Sequence, residues 1–282
     1  SGVLVSQADG VVMDQLRIHH TNGVGIQADG AELTLSASLV DHTAEGGLQL
    51  LGSTAEVTES AIVDVAPPAD LGTARGIAVR PLADQPSTLS AAGIVIERVP
   101  GVGAQVLGSS AIFERAVMRE MLPRAADDAL GRGCEVAGEE GLPATLTLLH
   151  TVIRDNLEVG LTIFGADVVM EDSVIAETAP RASTGTTGYG IAAFNGAAPA
   201  SLELRRSVLA DNHELGLTAE GADLEIVSSI VRDTLVAADP EGGGVGIDLL
   251  RGDDGRRGWL LLQGSVVQDS RIYGEGEADS DA

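Results

Sequence analysis

Residues 160–178 read GLTIFGADVVMEDSVIAET. A glycine opens the stretch, and LTIF then alternates inward and outward positions. Gly165-Ala166 breaks the run, DVVMED alternates again, and SVIAET starts from a serine with paired aliphatics. Alternation over four to six residues, punctuated by turns, is the signature of half-buried strands. The stretch therefore reads as three short strands. Residues 216–234, GLTAEGADLEIVSSIVRDT, repeat the same frame 56 positions later.

Eight further frames of this kind occur. They are GVLV at 2, GIQA at 25, GLQL at 47, GIAV at 76, GAQV at 103, GCEV at 133, GIAA at 190 and GIDL at 246. The third strand of each unit repeatedly begins near a small residue, as in SLVD at 38, SAIVD at 60, SVLAD at 207 and SVVQD at 265. No 3.6-residue period is sustained. Residues 118–130 are the weak candidate for a helical turn, interrupted by Pro123. The two-residue Asn-Gly or Asp-Gly signal of strand hairpins does not recur from unit to unit. A chain that returns to one frame every 22–30 residues lays each strand beside its counterpart in the next coil, about 4.8 Å away. The predicted fold is all-β: a single-stranded parallel β-helix solenoid of about ten coils over residues 1–273, with an acidic tail at 274–282 expected to be disordered.

On these frames the chain resembles the right-handed parallel β-helix, the pectate-lyase-like fold. The resemblance and the usual crossover preference imply the right hand. Enzymes of that fold act mostly on acidic polysaccharides, so the resemblance implies an extracellular or cell-envelope setting. The chain opens within the pattern, as if a preceding coil, cap or partner belonged there, and no targeting segment is legible.

After residue 47 the frame spacings alternate: 29, 27, 30, 27, 30, 26 and 30. The extra residues follow the third strand in coils starting at 47, 103, 160 and 216, giving loops at 65–75, 118–132, 177–189 and 233–245. They follow the first strand in coils starting at 76, 133, 190 and 246. Packing explains this: a folded loop needs about 10 Å, twice the coil spacing, so loops on every coil would collide. A second reading is that the stacked loops wall a groove for an extended ligand.

Composition narrows the partners. All 17 basic residues are arginine against 42 acidic ones, a formal charge of −25. Such a surface excludes phosphate-backbone binding and disfavours anionic membranes, and it suits cations or neutral polymers better than polyanions. No apolar run is long enough to span a bilayer. The single cysteine, Cys134, lies in an apolar strand frame and reads as a small core residue.

The chemical motifs are few. Without lysine there is no Arg-x-Lys segment of the polygalacturonase type, and Asp239-Pro240 matches only the start of the Asp-Pro-His-Asp segment of alginate epimerases. Gly-x-Ser-x-Gly and a phosphate loop are absent. In the loop at 118–132, Arg124, Asp127, Asp128 and Arg132 could hold Ca²⁺ or supply an acid and a base, though adjacent loop carboxylates are more often a solvated turn. Glu139-Glu140 and Asp253-Asp254 read the same way. A polar column follows the third strands: His19-His20, Asp41-His42, Asp64, Asn156, Asp211-Asn212-His213 and Asp269. Turn capping is the plain account of it, and a histidine–aspartate metal site the sharper one. An ice-binding array is rejected, because Thr162 and Thr218 align with Gln27, Gln49, Ala78, Gln105, Glu135, Ala192 and Asp248 rather than with more threonines.

The resulting expectation is a secreted or envelope β-helix acting as a scaffold for adhesion or glycan binding, without chemistry of its own. The alternative is a polysaccharide lyase, hydrolase or epimerase using the carboxylates and arginines of 118–132 and 177–189. Candidate ligand-binding residues are Arg124, Asp127, Asp128, Arg132, Arg181, Tyr189, Asp211 and His213. No residue is assigned to catalysis or a metal, and no cofactor is expected beyond the Ca²⁺ just named. The expected partners are a polysaccharide or a cell surface, together with end-to-end or lateral self-association through exposed strand edges.

Overall fold

The glycine that opens each frame is a packing requirement. In the computed structural model, a Cβ on Gly160 would lie 2.5 Å from Ile175 Cγ2 and 2.7 Å from the Gly190 carbonyl oxygen. Gly25, Gly47, Gly76, Gly103, Gly133, Gly190 and Gly216 meet the carbonyl of the next frame's glycine in the same way, at 2.4–2.8 Å. The repeated glycines thus form one column in which consecutive coils touch backbone to backbone.

The structure describes residues 1–67, 73–235, 244–253 and 255–274. The central parts of the 65–75 and 233–245 loops, Asp239-Pro240, Asp254 and the acidic end from residue 275 lie outside them. Among the described residues, thirty-one strands form three sheets, and every strand pairing is parallel to the strand one coil away. First strands build an eleven-stranded sheet, which includes Ala74–Arg80, Gly101–Leu107, Arg132–Ala137, Val159–Phe164, Tyr189–Phe194 and Leu215–Glu220. Second strands such as Asp167–Glu171 build a ten-stranded sheet, and three-residue third strands such as Val174–Ala176 build another. The protein is a right-handed parallel β-helix of about ten coils.

The core is a set of aliphatic ladders. Ile77, Ala104, Cys134, Leu161, Ile191, Leu217 and Ile247 stack in register, all buried. Cys134 is a core residue as expected, and burial pushes its thiol up to about 12. The corners reuse a single device. After the third strand, His20, His42, Asp64, Arg98, Glu120, Asp155, Glu177, Asp211, Asp233 and Asp269 each adopt positive φ, from 49° to 57°. Such a bend lets three residues of strand turn directly into the next element.

Buried polar side chains hold the turns. Ser207 Oγ accepts the Ser173 N–H at 3.1 Å and donates to the Arg205 carbonyl at 2.8 Å, and Ser229 repeats this one coil on. Asn156 and Asn212 do the same job at the third-strand corner. Their Oδ1 atoms accept the N–H groups of Met121 and Thr178, each at 3.2 Å. The polar column of the sequence is therefore largely turn chemistry, to which are added the stacking of the His20 and His42 rings at 5.1 Å and the ion pairs of Asp41 with Arg17 and Asp64 with Arg98.

Residues 118–130 contain no helix. Val117–Arg119 is strand, Leu122 bridges Pro100, and Arg124–Ala129 closes a turn through Arg124 N–H to the Ala129 carbonyl at 2.8 Å. Pro123 lacks the donor a helix would need. The loops after the first strand hold small antiparallel turns, Leu82 with Gln85 and Glu139 with Leu142.

Candidate functional site

Both loop sets border the same sheet. Loops after the third strand enter the eleven-stranded sheet at one edge, and loops after the first strand leave it at the other. Its outer face therefore becomes a floor between two walls. Loops on alternate coils touch: Asp128 Oδ2 accepts the Ser183 N–H at 2.7 Å, and Arg124 Nη1 donates to Thr73 Oγ1 at 3.2 Å. Asp128 is thus a strut between loops.

The central column of the floor is the one read from sequence: Gln27, Gln49, Ala78, Gln105, Glu135, Thr162, Ala192, Thr218 and Asp248 lie in register. These side chains alternate with core residues and so point outward. Yet Ala78, Gln105, Thr162, Ala192 and Thr218 are buried, because the walls and neighbouring coils crowd them. The hydroxyl of Thr162 is buried and has no hydrogen-bond partner.

Four predicted residues gather around one that was missed, Glu158. It is 4% exposed, adopts φ 63°, and accepts Arg132 Nε at 2.8 Å on Oε2 and Arg181 Nη2 on Oε1. Arg132 also donates to Glu135 Oε2 at 2.9 Å, and Gln105 Nε2 donates to Glu135 Oε1 at 2.7 Å. Arg124 grips Asp127 through two N–H groups, one at 2.9 Å, and this pair lies within electrostatic reach of Glu158 and Arg181. Burial opposes the charge on Glu158, but the hydrogen bonds and charges of Arg181 and Arg132 outweigh it and hold the carboxyl below its ordinary range. The hydrogen bonds from Arg124 depress Asp127 likewise. Both carboxylates therefore move away from the raised pKa that a general acid needs.

Of the remaining candidates, Tyr189 touches this knot through its backbone, its N–H donating to the Glu158 carbonyl at 2.9 Å, whereas Asp211 and His213 serve a third-strand corner. Tyr189 is half-buried at the start of its strand, and its phenol is raised by burial and by Glu214 and Asp248. His213 Nδ1 sits 3.0 Å from the Thr178 carbonyl, a corner contact. Asp211 supplies the corner bend, its N–H meeting the Arg232 carbonyl at 3.4 Å. Among the described residues, no group of three or more His, Cys, Asp or Glu side chains could hold a metal ion.

Sequence reading also missed an aromatic pair. Phe164 and Phe194 occupy matching positions in successive coils, with rings stacked at 5.3 Å and 20°. Each follows a core residue and faces outward, half-buried. With Asn195, Glu220 and Asp253 they line a cavity of about 410 Å³ at the first-strand loop wall. The signal was available: only three phenylalanines exist, and two of them end the LTIF and IAAF frames.

Neither a known protein family nor a curated protein matches this sequence. Solved structures do share the fold. A tailspike protein, Dettilon gp208, is similar at a TM-score of 0.55 and 10% identity, over 96% of this chain and 61% of its own. A pectate lyase, Pel9A, gives 0.48 and 12% over 93% and 71%. The catalytic unit of a GH87 α-1,3-glucanase from Streptomyces thermodiastaticus gives 0.40 and 11% over 98% and 65%. The chain thus spans less than two thirds of the tailspike and glucanase chains. At these identities the likeness establishes the fold alone. No helix among the described residues is long and apolar enough to cross a membrane.

Proposed function

We propose that the loop-walled face of the eleven-stranded sheet binds an extended glycan without cleaving it. The observation that carries this reading is the outward Phe164–Phe194 stack beside Asn195, Glu220 and Asp253. The apolar face of a sugar ring packs on aromatic carbon, while hydroxyls need polar partners at its rim, and a cavity with an apolar floor and a few polar groups supplies both. A floor that runs along the solenoid axis suits a polymer. The binding reading is favoured over the catalytic one because the buried carboxylate of Glu158, beside the floor, is paired with Arg132 and Arg181 and held ionised. A glycan-binding role accords with a secreted or envelope-exposed protein.

The test is a glycan array followed by calorimetry, with reducing ends and unsaturated products assayed in parallel. Binding without product release is expected, and Phe164→Ala with Phe194→Ala should weaken it by about tenfold or more. Release of reducing ends or unsaturated sugars, abolished by Glu158→Gln, would establish the enzymatic reading instead.

A further inference from the structure

Two arginines on the floor are unlike the rest. Arg75 Nε and Arg80 Nη2 both donate to one neutral acceptor, Gln105 Oε1, the first at 2.5 Å. Arg75 Nη1 reaches the Thr73 carbonyl at 3.3 Å. Among the described residues no carboxylate lies within 4.0 Å of either guanidinium, whereas Arg124, Arg132 and Arg181 each hold one. Each guanidinium carries five N–H donors. Arg75 commits two and Arg80 one, and Arg80 Nε is buried with no partner.

The surroundings deepen the imbalance. Both side chains are half-buried and line a cavity of about 230 Å³ with Gln49, Thr73, Ala78 and Glu45. Burial disfavours the charge on each, and Arg80 adds repulsion on Arg75. The carboxylates that act on the pair from a distance are Glu135, already bonded to Arg132 and Gln105, and Glu139 of the first-strand wall. Two confined like charges with no carboxylate in ion-pair contact among the described residues are costly, and a bound anion with several oxygen acceptors relieves them. In a chain of formal charge −25, a cavity with this local sign is the reverse of what composition implies.

We propose that Arg75 and Arg80 form an oxyanion subsite that takes one carboxylate or sulfate group carried by the glycan. The inference rests on the glycan-binding reading and names its ligand as an acidic polymer. The strand bearing Arg80 is three coils from the one bearing Phe164. The charged group and the stacked ring are then about 14 Å apart along one chain of sugars.

The test titrates the full chain and the Arg75→Gln/Arg80→Gln variant with four probes. These are an oligogalacturonide, a sulfated galactan hexaose, the neutral maltohexaose, and free acetate or sulfate. One charged oligomer should bind the native protein about tenfold tighter than the neutral one, and the variant should lose that preference. Whichever charged oligomer shows the gap identifies carboxylate or sulfate as the group. Because glutamine keeps the aliphatic stem and a polar amide while removing the charge, circular dichroism of the variant should match the native spectrum. Neutral and charged oligomers binding equally, or a charge preference that survives in the variant, overturns the subsite and leaves glycan binding standing. Free anions raising the melting temperature only with Arg75 and Arg80 present, and no oligomer binding, upholds the anion site and overturns the glycan reading. Response to no probe overturns both.

Discussion

At the residue scale, similar substitutions separate packing from charge. Gly160→Ala forces a methyl against the Gly190 carbonyl and Ile175, both under 3 Å away. It should cost about 1–3 kcal/mol. Gly141→Ala meets nothing within 4 Å and bears only the strain of its positive φ of 76°, about 1 kcal/mol. Urea denaturation of the two variants reads the difference, and equal losses would remove the glycine column as the reason for the frame. Glu158 tests charge. Its folded carboxyl lies below the ordinary 4.5. Its stabilisation is therefore fully present above that value and disappears as pH falls through the lower folded one. Glu158→Gln should lose about 3 kcal/mol at pH 7, and its melting curve should approach the native one as pH drops below 4. An offset that persists unchanged into acid would mean that shape, not charge, holds the knot.

At the scale of elements, the walls are held by few contacts and the coils by many. Asp128 joins the loops after Val117–Arg119 and after Val174–Ala176 through the Ser183 N–H. Asp128→Ala should speed hydrogen exchange at the Ser183 amide while leaving global stability within about 0.5 kcal/mol. Unchanged exchange would show that the loops are positioned without this strut. Asn156, by contrast, is 1% exposed and serves Met121 N–H and the Met118 carbonyl of the coil before it. Its removal leaves backbone groups buried and unpaired, a loss felt by the whole solenoid.

For the whole molecule, the acidic excess is the dominant field. With 42 carboxylates against 17 guanidiniums, repulsion spread along the solenoid outweighs the paired charges. Screening shortens its reach from about 30 Å at 0.01 M salt to about 3 Å at 1 M. The melting temperature should therefore rise as sodium chloride is raised from 0.01 to about 0.5 M, and a fall would mean that the arginine–carboxylate network carries more of the stability than the count implies.

The glycine frame, the alternating strands, the register from Gln27 to Asp248 and the two-coil alternation of loops were all legible in the sequence. Each is set by steric and hydrophobic demands that recur locally every coil, so one unit predicts the next. Sequence also singled out Arg124, Asp127, Arg132 and Arg181 as loop charges, but not the Glu158 that draws Arg132 and Arg181 together. Tertiary structure alone showed that both loop sets wall one sheet, that Phe164 and Phe194 stack outward, and that Arg75 and Arg80 share an amide instead of a carboxylate. These features join residues from different coils, such as the 55 positions between Asp128 and Ser183. Strand periodicity lies along the chain, whereas the site lies across it, where coil stacking selects which side chains meet.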